Sequence, residues 1–195
     1  MYDPTANVTF DSSKLTSTFN WWPYPAIWDF NERRQGARSG VSSWPQHPIN
    51  ISRYQSYNRS RSFRDTIDQI LSWFNDPIEP INFGAVYFDE PDLTGHRTGP
   101  FSSKTADKVR ECDEHLGYLL DQIDANKNLR ENLNLLVVSD HGMEQINGTR
   151  TPIYIEDYID GDRIRAFGVP PAMNIFVRSR ETNLFEENRI VSFFI

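Results

Sequence analysis

The chain has 195 residues, of which 38% are hydrophobic, 13% aromatic and 24% charged, and this composition predicts one globular domain and excludes a disordered chain. The net charge of −7 excludes a broad basic face that would bind nucleic acid by neutralising phosphates. The single cysteine, Cys112, excludes an internal disulfide framework and a thiolate zinc site, so any metal must be held by histidines and carboxylates.

The first segment, residues 1–59, is predicted to be irregular and rich in aromatic side chains. Asn, Ser and Trp are frequent, and prolines interrupt every longer apolar stretch, at Pro23, Pro25, Pro45 and Pro48. Within this segment we expect only a short strand near Val41.

From Ser60 the spacing of apolar residues becomes that of a helix followed by a strand. Apolar residues three and four positions apart predict a helix that stops by Pro77, with one apolar stripe formed by Phe63, Ile67, Ile70, Leu71 and Phe74. The apolar run 81–88 then predicts a buried strand, which ends at the acidic turn 89–92.

A second helix and a second strand follow. The helix is expected to begin at Ser102 or Ser103 and to end near Asn126 or Asn128, and the apolar run 133–138 predicts another buried strand. A crossover helix of this length joins parallel strands, so residues 60–145 are predicted to form an α/β layer. In the remaining segment, 146–195, only 153–159 and 172–177 are candidate short elements.

The sequence contains conflicting indications of where the protein is located. No apolar run of about 18 residues predicts a transmembrane segment, and Met1 is not followed by the pattern of a signal peptide. Four Asn-x-Ser/Thr sequons are nevertheless present, a density typical of proteins that cross the secretory pathway, and they predict glycosylation at Asn7, Asn50, Asn58 and Asn147.

Both predicted strands are followed by an aspartate and a histidine. Asp92 and His96 follow the first strand, and Asp140 and His141 follow the second. Ligands of open α/β sheets bind at the carboxyl ends of the strands, so the two pairs are expected to meet there. Nitrogen and oxygen ligands of this kind suit zinc. Either pair taken alone is equally typical of a polar turn, so a purely structural role for these residues remains an alternative to metal binding.

The other titratable candidates are expected to be structural. His47 lies between Gln46 and Pro48, which is typical of a solvated loop. His115 neighbours the apolar face of its predicted helix, and Cys112 lies within that face, so both are predicted to serve packing.

Two stretches carry a family resemblance. Residues 87–100 resemble the first metal-binding segment of the nucleotide pyrophosphatase/phosphodiesterases of the alkaline-phosphatase superfamily, aromatic-x-x-Glu-Pro-Asp-x-x-Gly-His-x-x-Gly-Pro, and residues 133–143 resemble the second. Residues 1–4, 21–28 and 62–64 look like further pieces of the same catalytic domain, in the same order. The resemblance spans about residues 1–150 and fades afterwards.

The resemblance implies an alkaline-phosphatase-like central sheet with helices on both faces, present here incompletely. It implies that Asp92 and His96 ligate one zinc ion, and that Asp140 and His141 ligate the other. Two such ions neutralise charge on phosphoryl oxygens and activate a hydroxyl nucleophile. The substrates implied are nucleotides or phospholipids, and the implied location of the full-length protein is extracellular or at the cell surface.

The resemblance also implies that part of the site is missing from these 195 residues. The family's first zinc-binding aspartate and its threonine nucleophile precede the segment that matches residues 1–4, and no histidine follows His141 to match the last ligand. We therefore expect no catalytic nucleophile in this chain. The alternatives are a noncatalytic truncated product and a relative of the phosphoethanolamine transferases, whose motifs also pair Asp-x-x-Gly-His with Asp-His-Gly.

Overall fold

The computed structural model of the chain describes residues 2–3, 8–9, 24–44, 51–146, 148–149, 154, 157–158, 160–169, 172–177 and 191–194. They belong to two compact units, Tyr24–Ile146 and, separately, Met1–Pro23 with Asn147–Ile195. His47, Trp21, Trp22 and three of the sequon asparagines, Asn7, Asn50 and Asn147, lie outside the described residues. No helix in the described part of the chain is long and apolar enough to cross a membrane.

The Tyr24–Ile146 unit contains both helices and strands, whereas the described elements of the other unit are strands and one short 3-10 turn. In chain order the elements are β1 (Tyr2–Asp3), β2 (Val8–Thr9), α1 (Ile27–Glu32), β3 (Ser39–Ser42), β4 (Arg53–Gln55), α2 (Phe63–Phe74), β5 (Phe83–Val86), α3 (Asp92–Thr98), α4 (Ser103–Ala125), α5 (Lys127–Asn132), the 3-10 turn Gly161–Arg163, β6 (Ile164–Val169), β7 (Ala172–Val177) and β8 (Val191–Phe194).

A parallel sheet of three strands, in the order β4-β3-β5, forms the centre of the Tyr24–Ile146 unit. Val41 of β3 pairs with Tyr54 of β4 on one side and with Ala85 of β5 on the other. All of β3 is buried, as expected for the central strand of a parallel sheet. The predicted strands near Val41 and within 81–88 are thereby confirmed, and so is the α/β fold class. The expectation that residues 1–59 contain no other regular element is wrong, because α1 and β4 lie within that segment.

The apolar stripe of α2 supplies much of the core. Ile67, Ile70 and Leu71 are buried in one cluster together with Ile81, Ile123 and Leu129. The helix begins where predicted, because the side chain of Ser62 accepts a hydrogen bond from the backbone N–H of Asp65 at 3.0 Å.

The second predicted helix is also confirmed, with Ser102 as its N-cap and Asn126 at its end. Asn126 both ends α4 and begins α5, since its side-chain oxygen accepts hydrogen bonds from the backbone N–H groups of Asn128 and Leu129. This double use of one asparagine adds α5, a helix that the apolar spacing did not predict.

The predicted strand at 133–138 is wrong. Leu133 packs against the core cluster, but residues 134–138 form no regular element, and Leu136, Val137 and Val138 are 84%, 64% and 77% exposed. An apolar run becomes a strand only where another strand accepts its backbone hydrogen bonds, and none of the described strands pairs with it. The apolar sequence predicted that these side chains would be buried, whereas the described residues leave them exposed to solvent.

The other unit contributes antiparallel strands. β1 pairs with β2, and β7 lies between β6 and β8. In this second sheet Ile175 of β7 is buried and pairs with Ala166 on one side and Val191 on the other. The predicted element at 172–177 is confirmed as a strand, whereas most of 153–159 lies outside the described residues.

Candidate functional site

The end of β5 leads directly to the first predicted pair. After Val86 a loop carries the chain to Asp92, the first residue of α3, and His96 lies four residues later on the same face of that helix. The Nε2 atom of His96 is 3.3 Å from Oδ1 of Asp92. One helical turn is therefore enough to bring the carboxylate and the imidazole together.

The second pair lies against the first. The Nε2 atom of His141 is 3.9 Å from Oδ1 of Asp92 and 3.8 Å from Oδ2 of Asp140. The structure thus brings all four predicted side chains into one carboxylate–histidine cluster, consisting of Asp92, His96, Asp140 and His141. The second pair follows a segment without regular secondary structure and not, as predicted, the end of a paired strand.

Two glycines, Gly95 within α3 and Gly99 directly after it, allow residues 140–145 to lie close to this helix. A Cβ atom on Gly95 would be 2.5 Å from the sulfur of Met143, and one on Gly99 would be 2.7 Å from Oε1 of Gln145. Gly99 also has a φ of +87°, which other residues rarely adopt. The missing side chains leave room for Met143 and Gln145, whose packing holds the second pair beside the first.

Glu90 fixes the start of α3. Its carboxylate accepts hydrogen bonds from the backbone N–H of Thr94 at 3.0 Å and from the Thr94 hydroxyl at 2.9 Å. A carboxylate at this position satisfies donors that the first turn of a helix leaves without partners. Glu90 therefore orients the turn that presents Asp92.

Oδ1 of Asp92 is the most unusual atom of the cluster. It is shielded from solvent and accepts no hydrogen bond from any described residue, although two imidazole nitrogens lie close to it. A buried carboxylate oxygen without a partner is costly, and a cation or a proton between the oxygen and the imidazoles would remove that cost. This oxygen therefore favours the binding of a positive charge inside the cluster.

The donor atoms suit zinc. Ligand atoms about 2.0 Å from a tetrahedral zinc ion are about 3.3 Å from each other, and this spacing matches the 3.3 Å between His96 Nε2 and Asp92 Oδ1. The distances that involve His141 are longer, at 3.8 and 3.9 Å. Within the described ranges, no three or more His, Cys, Asp or Glu side chains are already arranged to enclose a metal ion. The donor types are therefore those that zinc uses, although the described side chains are not arranged around a common metal position.

A backbone carbonyl sets the orientation of the His141 ring. Its Nδ1 atom is 2.9 Å from the carbonyl oxygen of Gly142. A carbonyl oxygen only accepts, so Nδ1 carries the proton and the neutral ring keeps a lone pair on Nε2, facing the carboxylates. The hydrogen bond to Gly142 and the negative charges of Asp140 and Asp92 raise the pKa of His141.

The metal-free chain is expected to show this shift in an NMR titration of the His141 ring protons, with a midpoint above the ordinary value of about 6.5. Because the pKa is raised in the folded state, the stabilisation by the imidazolium is complete below the unfolded pKa and is lost as the pH rises through the folded pKa. Asp140→Asn should lower the midpoint, whereas Glu144→Gln, at a nearby exposed carboxylate, should not. An unchanged midpoint in Asp140→Asn would show that the carboxylate does not act on the ring.

Aromatic residues beside the cluster were not assigned from the sequence. Trp28 contacts Trp44 edge to face, and Trp44 contacts Tyr87 in the same way, at centroid distances of 5.3 and 6.0 Å. Burial, followed by the charges of Asp140, Asp89 and Asp92, raises the pKa of Tyr87. Its phenol therefore stays protonated at neutral pH at the edge of the cluster.

Tyr57 also reaches this edge, because its hydroxyl donates a hydrogen bond to Oδ2 of Asp89 at 2.6 Å. Residues so far apart in sequence gave no signal of their contact. The aromatic and acidic composition of 87–92 was the only available hint.

The remaining candidates are structural, as predicted for His115. Its ring contacts Phe63 and Phe88 edge to face, at centroid distances of 5.5 and 6.3 Å. Cys112 is half-buried and not part of the core cluster, and its thiol donates to the carbonyl of Glu90 at 3.5 Å. Burial raises the pKa of this thiol, which makes it a poor nucleophile.

Comparison with known proteins identifies relatives over nearly the whole chain. The family model described as type I phosphodiesterase / nucleotide pyrophosphatase matches residues 1–191, which extends well beyond residue 150, where the sequence resemblance faded. Human ectonucleotide pyrophosphatase/phosphodiesterase family member 5 is 35% identical over 182 residues, which are 90% of this chain and 37% of the human protein. Bis(5'-adenosyl)-triphosphatase enpp4 of Xenopus laevis is 32% identical over 193 residues, which are 95% of this chain and 42% of that protein.

Solved structures agree with these relatives. An inactive form of murine ectonucleotide pyrophosphatase/phosphodiesterase 5 in complex with AMP superposes with a TM-score of 0.74 at 32% identity, over 94% of this chain and 50% of that one. The chain thus spans about half the length of the relatives it matches, or less. With its α/β fold, its paired Asp and His motifs and a family match over residues 1–191, the chain belongs to the type I phosphodiesterase / nucleotide pyrophosphatase family.

Proposed function

We propose that the carboxylate–histidine cluster binds zinc and forms part of a site that hydrolyses phosphodiester or pyrophosphate bonds of nucleotides. The observation that carries this proposal is the solvent-shielded Oδ1 of Asp92, which has no hydrogen-bond partner among the described residues and lies between the Nε2 atoms of His96 and His141. Asp92 and His96 would hold one ion, and Asp140 and His141 the other. Bound zinc supplies Lewis acidity toward a phosphoryl oxygen.

The residues of this chain hold and orient the cluster. Glu90 fixes the turn of α3 through Thr94, and the Gly142 carbonyl holds the His141 ring with its lone pair toward the carboxylates. Such supporting hydrogen bonds keep ligands in the geometry that a metal requires. The protonated phenol of Tyr87 places a hydrogen-bond donor at the edge of the same cluster.

A nucleotide is the substrate class that we propose first. One relative is named a bis(5'-adenosyl)-triphosphatase, and the structure of another contains AMP. The net charge of −7 supports binding through metal rather than through a basic face. A phospholipid is the alternative, since it contains the same phosphodiester group. For the full-length protein we propose a location outside the cell or at its surface, in keeping with a relative named an ectonucleotide phosphodiesterase.

We also propose that the chain alone is not catalytic. Among the described residues, two aliphatic hydroxyl groups are close in sequence to the cluster residues, on Thr94 and Ser139. The Thr94 hydroxyl donates to the Glu90 carboxylate at 2.9 Å, and the Ser139 hydroxyl donates to the carbonyl of His141 at 2.6 Å. A hydroxyl nucleophile must be in line with phosphorus and near a group that takes its proton. Both hydroxyls are engaged elsewhere, which favours a noncatalytic product as the second candidate.

The purified chain is therefore expected to release no nitrophenol from the nitrophenyl ester of thymidine monophosphate above background, even with added zinc. Hydrolysis by a full-length relative is the positive control, and Asp92→Asn is the matched variant. Zinc-dependent turnover within about 100-fold of the relative, or about 2.7 kcal/mol in activation free energy, would contradict the absence of a nucleophile if Asp92→Asn abolished it. Thr94→Val and Ser139→Ala would then identify the hydroxyl responsible.

A further inference from the structure

The segment that carries Asp140 and His141 has few attachments to the rest of its unit. Among residues 134–146, Met143 is the one residue that is not exposed. The hydrogen bonds of residues 139–146 to described residues all stay within the segment, between neighbours one or two positions apart. Because backbone pairing does not fix this segment, the position of its two ligands depends on side-chain packing.

That packing is made by Met143 on a buried glycine of α3. A Cβ atom on Gly95 would be 2.5 Å from the sulfur of Met143 and 3.0 Å from its methyl carbon, so the thioether occupies the space that a side chain would take. Gln145 approaches Gly99 in a similar way, but it remains exposed, and its amide donates to the carbonyl of Ile146. Met143 is thus the buried contact between this segment and α3.

The same position on α3 is also bounded by α4. Cγ2 of Thr105, a buried residue, is 3.9 Å from the Cβ position of Gly95. The Thr105 hydroxyl donates to the carbonyl of Gly99 at 2.8 Å, which ties the end of α3 to the first turn of α4. A methyl group at position 95 would therefore displace the flexible thioether rather than the helix. Asp92 and His96, which belong to α3 itself, would keep their positions.

We propose that Met143 is a positioning residue that places Asp140 and His141 beside Asp92, and that Gly95 provides the recess that receives it. His141 lies two residues before this anchor, so its backbone can extend away from it by at most about 7 Å. The anchor therefore holds Nε2 of His141 within reach of Asp92, at the observed 3.9 Å from Oδ1. One of the two tests below rests on the proposed zinc site, and the other needs no metal.

The first test is an NMR measurement on the metal-free chain, with the histidine ring signals assigned by their absence from His96→Gln and His141→Gln. In Met143→Ala the ring signals of His141 should move toward their unfolded positions, whereas those of His96 should not. Met143→Leu, which conserves the apolar volume, should resemble the wild type. Ile146→Ala is the matched control, because it truncates a side chain of the same segment that is 82% exposed.

The second test follows a zinc titration at the same two rings. In Met143→Ala the zinc affinity measured at His141 should fall about 10–100-fold, the usual effect of losing a residue that supports metal ligands. The affinity measured at His96 should be unchanged, whereas a general loss of folding would lower both. Gly95→Ala should act like Met143→Ala, and the double variant should be no weaker than either, because both substitutions remove the same contact.

The two tests separate the positioning role from the zinc site. Unchanged His141 ring signals in metal-free Met143→Ala would overturn the positioning role, and so would an equal loss of zinc affinity at His96 and His141. If Met143→Leu were as damaging as Met143→Ala, apolar packing on Gly95 would not be the cause. A wild-type chain whose histidines do not respond to zinc would contradict the proposed zinc site, and the metal-free spectra would still decide the positioning role.

Discussion

Asp92→Asn is expected to abolish the zinc binding of this chain. Oδ1 of Asp92 is the atom that lies within 4 Å of both imidazole nitrogens, so the substitution removes the negative charge at the centre of the cluster while keeping the size of the side chain. Loss of a supporting residue alone weakens metal sites by about 10–100-fold, and loss of a ligand should cost at least as much. Isothermal titration calorimetry of the metal-free chain with zinc measures the effect.

The wild-type chain itself should bind zinc weakly, because four ligands shared between two ions leave each ion with fewer than the three or four that zinc normally has. His141→Ala should behave like Asp92→Asn. Asp113→Asn is the matched control, since it changes an exposed carboxylate on α4 outside the cluster. Tight binding of two zinc ions by the wild type would refute the weak site, and unchanged binding in Asp92→Asn would place zinc elsewhere.

Ile67→Ala is expected to destabilise the Tyr24–Ile146 unit by about 2–5 kcal/mol, the usual cost of removing this much side chain from a packed core. Ile67 is only 1% exposed and lies at the centre of the apolar stripe of α2, in the cluster that joins α2 to α4 and α5. Urea unfolding followed by circular dichroism at the helical wavelength reports on this unit, because α2 and α4 are its two longest helices.

Ile78→Ala is the control for that measurement, since it makes the same chemical change at a residue that is 85% exposed. Its free energy of unfolding should change by less than about 0.5 kcal/mol. If both substitutions lowered the free energy of unfolding equally, burial of Ile67 in this core would not be what stabilises the unit. A changed slope in either variant would indicate an altered unfolded state rather than an altered core.

The helices of the Tyr24–Ile146 unit were predictable because their information is local. Ser62 and Ser102 are N-caps of the expected kind, and the apolar spacing of α2 corresponds directly to its buried face. The strand at β5 was predictable for the same reason, since an apolar run is followed by an acidic turn.

The strand predicted at 133–138 and the detailed geometry of the cluster were not predictable, because both depend on partners distant in sequence. The sequence of 133–138 is apolar, but whether a strand forms is decided by a neighbouring strand. The four residues of the cluster could be named from their motifs. The shielding of Oδ1 of Asp92, the carbonyl that orients His141 and the packing of Met143 on Gly95 arise only from the tertiary structure.

The exposed run 134–138 bears on how the chain behaves at high concentration. It consists of one asparagine followed by Leu and Val side chains, with no charge and no proline, and residues 134–138 make no backbone hydrogen bonds to other described residues. Such a segment is a template onto which the same segment of another molecule can add, which is how amyloid-like stacks begin. We therefore expect association between copies of the purified chain at high concentration to begin at these residues.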